Sequence, residues 1–352
     1  MRLSLLIPAA LTPLALADPD YVPTANPSVL DAATNPILTA DDALEWILGD
    51  PAMIPIPSCP TQMLANEVFH GIIQYKETDS LSNKWSRHGS AVPLPGAVRP
   101  NVVVEGDKVF LVYEQYKLTS LFKDSTMKMK TGTISDCEIA WDWGASTILE
   151  PTLDWEKDGS SRVGNPFLYK NAATGRYTLY YSAGSVHLDD SNIEEPLHLG
   201  SASSDNIEGP YVRDSEEPFV VAGSYDLDGA TTIGMGSFKL VKGLSAADGT
   251  QQNEWALFNH ITLDDATKHT GSTISLARST DGGKTFSIAD ADLIAPPLKL
   301  DSGWKDTYVY GFDTIADPDD ADYVKVFMNG RDGYAHASEA VGVSRLAKSK
   351  MK

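Results

Sequence analysis

The chain has 352 residues, 42% of them hydrophobic and 22% charged. That is enough apolar material for a packed core and too much for a disordered chain. Against 48 Asp and Glu stand 28 Lys and Arg, a formal net charge of −20; a field of that sign repels nucleic acid and anionic membrane surfaces and argues against a binder of phosphate backbones.

Residues 1–17 read as a secretory leader. Met1-Arg2 gives a positive start, Leu3 to Leu16 is apolar apart from Ser4, Pro8, Thr12 and Pro13, and Ala15-Leu16-Ala17 has the small-x-small cleavage pattern before Asp18. The expectation is a secreted, extracellular protein whose mature form starts near Asp18. No later run approaches the ~20 apolar residues that span a bilayer, so no membrane partner is expected. In an oxidising compartment Cys59 and Cys137 pair most simply as one disulfide. With no Cys-x-x-Cys motif, the pair reads as structural.

Residues 18–65 are rich in Pro and Asp and read as an N-terminal extension, with one short helix at Thr39 to Leu48 capped by Thr39. From Phe69 the texture changes to short runs of Val, Ile, Tyr, Phe and Thr between Gly, Asp, Asn and Pro turns, which predicts an all-β fold.

A strand, a Gly turn and an aromatic-rich strand recur. Arg99-Pro100-Asn101-Val102-Val103-Val104 precedes Val109-Phe110-Leu111-Val112-Tyr113, and Gly164-Asn165-Pro166-Phe167-Leu168-Tyr169 precedes Tyr177-Thr178-Leu179-Tyr180-Tyr181. Further copies start at Gly236 and Tyr310. Small-residue third strands follow at His198–Asp205, Ser275–Asp281 and Val341–Arg345, while Gly71–Tyr75 and Trp85–Arg87 look like third and fourth strands without a preceding pair. Five units of roughly 55 residues predict a five-bladed β-propeller over residues 66–352, its ring closed by strands from both ends. Ser279-Thr280-Asp281-Gly282-Gly283-Lys284-Thr285-Phe286 resembles the Asp-box of sialidase-type propellers, where the Asp ties a hairpin and the Phe plugs between sheets. It speaks for the fold and carries no chemistry.

A propeller binds ligands at one end of its axis, where first strands begin and second strands end. That face draws Arg99, Asn101, Arg162, Asn165, Tyr308 and Tyr310 from strand starts, and Glu114, Tyr116, Asn259, His260, Asn329 and Arg331 from strand ends. The loop His187-Leu188-Asp189-Asp190 lies over it. The Asp-rich run from Ala316 to Asp322 lacks the Gly and terminal Glu of a calcium loop and reads as a hairpin turn.

From residue 98 to 345 the sequence resembles glycoside hydrolase family 43 and related five-bladed propeller glycosidases, most clearly over Gly164 to Tyr211. The resemblance implies a protein that handles glycans. It also implies an Asp before the Pro of two inner strands and a Glu opening a later one, where this alignment finds Arg99-Pro100, Asn165-Pro166 and Met235-Gly236-Ser237. Hydrolysis normally needs two carboxyls across the sugar, and neither Asn nor Arg exchanges a proton at neutral pH.

The preferred reading is therefore cleavage of a uronate-containing polysaccharide or oligosaccharide by elimination or another non-standard route. Arg99 and Arg162 grip the sugar carboxylate, Asn101, Asn165, Asp190, Tyr308 and Arg331 complete the binding face, and His260 and Tyr310 move protons. The alternatives are a glycoside hydrolase with relocated acids, for which Asp190, Glu194, Asp306 and Asp313 are nearest, and a non-catalytic glycan-binding propeller. No organic cofactor motif is present, a calcium ion on the axis stays open, and the protein is expected to be a monomer.

Overall fold

Alternating apolar residues punctuated by Pro, Gly and Asp turns give short antiparallel strands that each bury one or both faces. The computed structural model describes residues 20–351 except 41–46, 81–82, 121–122, 172–173, 228, 245–253, 297–306, 332 and 334–338. The leader at 1–17 lies outside the described residues.

The strands form a five-bladed propeller. Blade I runs Leu48–Ile54, Gln62–Glu67, Gly71–Asp79 and Lys84–Val92 from axis to rim. Blade II runs Ala97–Glu105, Lys108–Tyr116, Ser125–Ser135 and Glu138–Trp141. In blade III, Val163–Lys170 and Tyr177–Ala183 are followed by an excursion hairpin, Val186–Leu188 with Ile193–Glu195, before His198–Ser204 and Val212–Arg213 complete the sheet. Blade IV is Ala230–Leu240, Trp255–Asp264, Thr270–Arg278 and Ser287–Ile294. Blade V is Tyr308–Ala316, Tyr323–Arg331 and Glu339–Ala347. Each inner strand packs on the next, and that of blade V returns to that of blade I.

Both chain ends close the ring. Val29–Ala32 pairs with Glu339–Ala347, and Tyr21–Pro23 pairs outside it. Asn35 locks this edge, its side chain donating to the Val343 carbonyl at 2.9 Å and accepting from the Val343 N–H at 2.9 Å.

The expected boundary at residue 66 is corrected: the supposed extension supplies the two inner strands of blade I, and Gly71–Asp79 and Lys84–Val92 are that blade's own third and fourth strands. Pro51, Pro55, Pro57 and Pro60 break the period-two pattern there, which hid the strands. Of the helix expected over Thr39 to Leu48, residues 41–46 lie outside the described residues, and Thr39 and Leu48 both belong to strands.

Aromatic packing holds the blades together. Phe238 meets Tyr180, Phe258 and Phe286 at 4.4, 4.9 and 5.3 Å between ring centroids, bridging blades III and IV. Phe286 is the plug of the Asp-box, and Asp281 accepts from the Lys284 and Thr285 N–H groups, each at 3.0 Å, so the motif is architectural. Burying one such ring contributes roughly 2–3 kcal/mol.

Cys59 and Cys137 form a disulfide between the first hairpin of blade I and the outer turn of blade II, 78 residues apart in sequence. A crosslink over so long a loop restricts the unfolded chain by up to about 4 kcal/mol. A Cys59→Ser/Cys137→Ser double variant should show a lower urea midpoint and, because its unfolded chain is less compact, a somewhat steeper slope; an unchanged midpoint would mean that the bridge adds nothing to stability.

Candidate functional site at the axial mouth

One backbone device recurs at the top of every inner strand. The register against the second strand slips between Gly49 and Ala52, Val98 and Asn101, Gly164 and Phe167, Met235 and Phe238, and Val309 and Phe312. The residues thus freed are Asp50-Pro51, Arg99-Pro100, Asn165-Pro166, Gly236-Ser237 and Tyr310-Gly311. Proline cannot donate to a ladder, so it sits naturally at such a bulge. Asp50, Arg99 and Asn165 adopt φ of +50°, +55° and +47°, a conformation that costs a residue other than glycine about 1–3 kcal/mol and clusters at functional sites. All three point to the axis, where they line a neck together with Ser237, Tyr310 and Gly311.

Above the neck opens a cavity of about 610 Å³, lined by Asp50, Arg99, Tyr116, Arg162, Glu195, Arg331 and Glu339 among others. A groove of about 870 Å³ lies between Thr24–Pro27 and blade IV. Two of its acids are already engaged: Asp264 holds its own turn through Thr267, and Asp290 accepts from Asn26 and Lys350. The axial mouth, with strained residues and convergent charges, is the candidate site.

Its cationic wall is built on Glu114, which ends the second strand of blade II and is fully buried. Arg162 Nε donates to Glu114 Oε1 at 2.9 Å, and Arg99 Nη1 donates to Oε2 at 3.1 Å and to the Tyr116 hydroxyl at 2.7 Å. Both guanidiniums lie over the Tyr116 ring, at 5.5 and 5.6 Å. Gly164 makes this approach feasible, because a Cβ there would stand 1.9 Å from Glu114 Oε2. Burial alone would raise the Glu114 carboxyl, but the two guanidiniums outweigh it and hold it below its ordinary value. Arg162 Nη2 is buried and has no hydrogen-bond partner among the described residues.

The acidic wall was not expected. Asp50, Glu195 and Glu339 reach the same cavity from the blade I inner strand, the excursion hairpin of blade III and the start of the third strand of blade V. Asn329 ties two of them together: its Oδ1 accepts from the Asp50 N–H at 3.3 Å and its Nδ2 donates to Glu339 Oε2 at 3.1 Å. Gly311 fixes Asp50, since a Cβ there would lie 2.1 Å from Asp50 Oδ1. Removal from water raises all three carboxyls. Asp50 is raised despite Arg99 and Lys239, Glu195 despite Arg99, Arg162 and Arg331, and Glu339 to about 7 despite Arg331.

Several sequence expectations change accordingly. The first inner strand of the propeller is Leu48–Ile54, and its bulge carries Asp50-Pro51 where blades II and III carry Arg99-Pro100 and Asn165-Pro166. Asp50, Glu114, Glu195 and Glu339 stand among Arg99, Arg162 and Arg331, so the mouth carries both signs of charge. Arg99 and Arg162 do stand side by side, as read from the sequence, and Arg331 joins them, stacked over Tyr308 at 5.7 Å. Asn165 and Tyr310 line the neck.

Other predicted residues lie elsewhere. His260 does not line the mouth: it is inside blade IV, wholly buried, with Nε2 2.7 Å from Ser275 Oγ, and burial pushes it down to about 4. Its neighbour Asn259 takes the axial direction, because successive side chains on a strand alternate in direction. Asn101 is an inter-blade tie, its Oδ1 accepting from the Leu168 N–H at 2.9 Å. Asp190 accepts from the Thr270 N–H at 2.7 Å. Tyr308 is buried beneath Tyr310, 2.6 Å from Thr270 Oγ1 and stacked on Tyr310 at 5.2 Å.

Of the relocated-acid candidates, Asp313 is buried against Lys242 Nζ at 2.9 Å and the Met53 N–H at 2.8 Å, and Asp306 is outside the described residues. Glu194 lines the mouth next to Glu195, accepting from Ser185 Oγ at 3.1 Å and standing 3.2 Å from His187 Nδ1.

No protein-family model matches the chain, and no curated protein matches it in sequence. Among solved structures it is similar to an N-acetylgalactosamine deacetylase from F. plautii in complex with blood group B trisaccharide, with TM-score 0.59, 11% identity, and coverage of 89% of this chain and 94% of that one. It is similar to a protein solved as an RGII complex, with TM-score 0.61, 10% identity and 92% of each of the two proteins covered. It is also similar to a family 117 glycoside hydrolase from the marine bacterium Zobellia galactanivorans, with TM-score 0.51, 14% identity, and coverage of 85% of this chain and 84% of that one. At these identities the likeness establishes a shared fold.

The raised Glu339 gives a pH signature. Its carboxyl titrates at about 7 in the folded state against an ordinary 4.5, so between those values the folded chain binds more protons than the unfolded one and stability falls as pH rises. Urea unfolding from pH 4 to 8 should show this decline flattened in Glu339→Gln. Identical slopes in the two proteins would show that the carboxyl is not held protonated.

Proposed function

We propose that the axial mouth is the active site of a secreted, monomeric carbohydrate-active enzyme that hydrolyses glycosidic bonds in a polysaccharide or oligosaccharide carrying acidic sugars. The observation that carries this reading is the convergence of Asp50, Glu195 and Glu339 on one cavity. Hydrolysis needs one carboxyl to protonate the leaving oxygen and another to act as base or nucleophile. Asp50 projects from blade I and Glu195 from the hairpin of blade III, two blades further around the ring. A sugar lowered onto the neck stands between them.

The charges around each group distribute the roles. Burial raises Asp50 and Glu195 alike, and cations oppose the rise at both; Asp50, with the Lys239 ammonium as well as guanidiniums beside it, is assigned the part of base or nucleophile. Glu195 faces Asp50 and is raised by burial, which favours the protonated form that a general acid needs. Glu339, at about 7 and joined to Asp50 through Asn329, keeps a further exchangeable proton at the site. Arg162 Nη2, buried and without a partner among the described residues, is placed to receive a carboxylate of the substrate in charge-assisted geometry. Solved relatives in fold include a deacetylase with a bound trisaccharide, an RGII complex and a glycoside hydrolase, which supports a glycan as ligand. The Cys59–Cys137 disulfide supports an oxidising, extracellular location.

Elimination loses the ground on which it was preferred. It rested on the three inner-strand positions read without an acid and on His260, which is buried away from the cavity. Tyr310 lines the neck, but burial beside Glu195 and Glu339 holds its hydroxyl well above the ordinary tyrosine value and makes it a poor base.

A panel of uronate-rich polysaccharides, with products separated by chromatography, tests the reading. New reducing ends without ultraviolet absorbance are expected, and Asp50→Asn and Glu195→Gln should each lower kcat by about 10²-fold or more at unchanged fold. An ultraviolet-absorbing unsaturated product would show elimination instead, and binding without new reducing ends would leave a lectin. Arg162→Lys should raise KM for a uronate-bearing oligosaccharide about tenfold more than for its carboxyl-reduced counterpart; equal losses would remove the acidic-sugar assignment.

A further inference from the structure

Beneath the neck the axis narrows to a chamber of about 10 Å³, lined by Asp50, Arg99, Asn165, Ser237, Lys239 and Gly311 with two prolines, so that all five blades contribute. Room of that size holds at most a single water. Lys239 lies on the inner strand of blade IV between Phe238 and Leu240. Those two neighbours face the aromatic core between blades III and IV, and alternation turns Lys239 the other way, into the axis. It is only 7% exposed. Burial pushes its ammonium down to about 8, with Asp313 and Asp50 opposing that fall and Lys242 adding to it.

A divalent cation does not fit this chamber. Calcium takes six to eight oxygens, several of them from carboxylates. Here a single lining carboxylate, Asp50, is met by a guanidinium and an ammonium, and among the described residues no group of three or more His, Cys, Asp or Glu is arranged to hold a metal. Yet a cation at this height has work to do. Asp50 in the chamber wall is a buried carboxylate, and the buried Asp313 already has the Lys242 ammonium at 2.9 Å.

We propose that Lys239 is the resident cation of the propeller axis: its tethered ammonium shares the chamber wall with Asp50, supplies the positive charge at this height and takes the place that a bound metal ion would otherwise fill. A covalently attached ammonium loses no translational freedom on binding and cannot be chelated away. Its three donors rotate freely, which suits a chamber with only one carboxylate in its wall. The proposal stands on the chamber's composition and is independent of whether the mouth turns over a glycoside.

Thermal unfolding of the full chain tests it with EDTA, with millimolar calcium chloride, and in two variants. The wild type should keep its Tm within about 1 °C under either reagent. Lys239→Met, close in shape and uncharged, should lose about 5 °C or more, because the buried Asp50 carboxylate loses a nearby counter-charge. Lys239→Ala should regain part of its loss in propylammonium chloride, which restores the missing atoms, and not in sodium chloride at the same concentration. A wild-type Tm that falls in EDTA and returns with calcium would overturn the proposal, as would a Lys239→Met protein as stable as the wild type. Should neither variant fold, the wild-type chelation result alone decides between a resident ammonium and a bound metal.

Discussion

The site depends on a slip of register, made once per blade. Where each inner strand meets the axial mouth, its ladder to the second strand skips two residues, and one of the residues freed turns into the channel. In three blades the freed pair ends in proline and its first member is held at positive φ. A β-sheet alone presents alternating side chains to its two faces and none along the barrel axis. The bulge changes that, and repeating it five times brings Asp50, Arg99, Asn165, Ser237 and Tyr310 to one point. The strain is sustained by the surrounding blades, whose aromatic contacts and shared edge strands fix the inner strands in place.

Charge compensation then sets what the mouth can do. Glu114 anchors two guanidiniums from neighbouring blades and is itself kept ionised by them. The other three carboxyls are raised by burial against the cations that face them, Glu339 to about 7. One wall is thus a fixed ionic lattice and the other a set of exchangeable protons. Two environments for the same functional group, side by side, are what acid–base chemistry at neutral pH requires.

Much of this was legible in the sequence and some was not, for physical reasons. The aromatic hairpin repeat and the Asp-box revealed the propeller, because strand pairing imposes a period that survives in the residues. The inner strands of blade I escaped notice because Pro51 lies in the first and Pro55, Pro57 and Pro60 in the connection after it, although Asp50-Pro51 has the same signature as Arg99-Pro100 and Asn165-Pro166 and could have been found from it. Glu195 comes from a hairpin inserted between two strands of blade III, where no repeat phase applies. A further miss is an error of one residue: the chemistry was given to His260, which is buried within blade IV, while its neighbour Asn259 is the one that reaches the axis. On a strand that shift exchanges one face for the other, so the right segment was chosen with the wrong side chain. Arg99 and Arg162 were identified as neighbours, but the anion they hold is the protein's own Glu114, a partner that their strand positions alone did not reveal.

The central claim is that water, activated between facing carboxyls, is what enters the bond being broken. Incubation with a uronate-containing polysaccharide in water enriched in heavy oxygen, followed by mass spectrometry of the products, tests this directly. The account predicts fragments whose new sugar ends carry the heavy isotope and contain no double bond. Unlabelled fragments ending in an unsaturated uronate would contradict it.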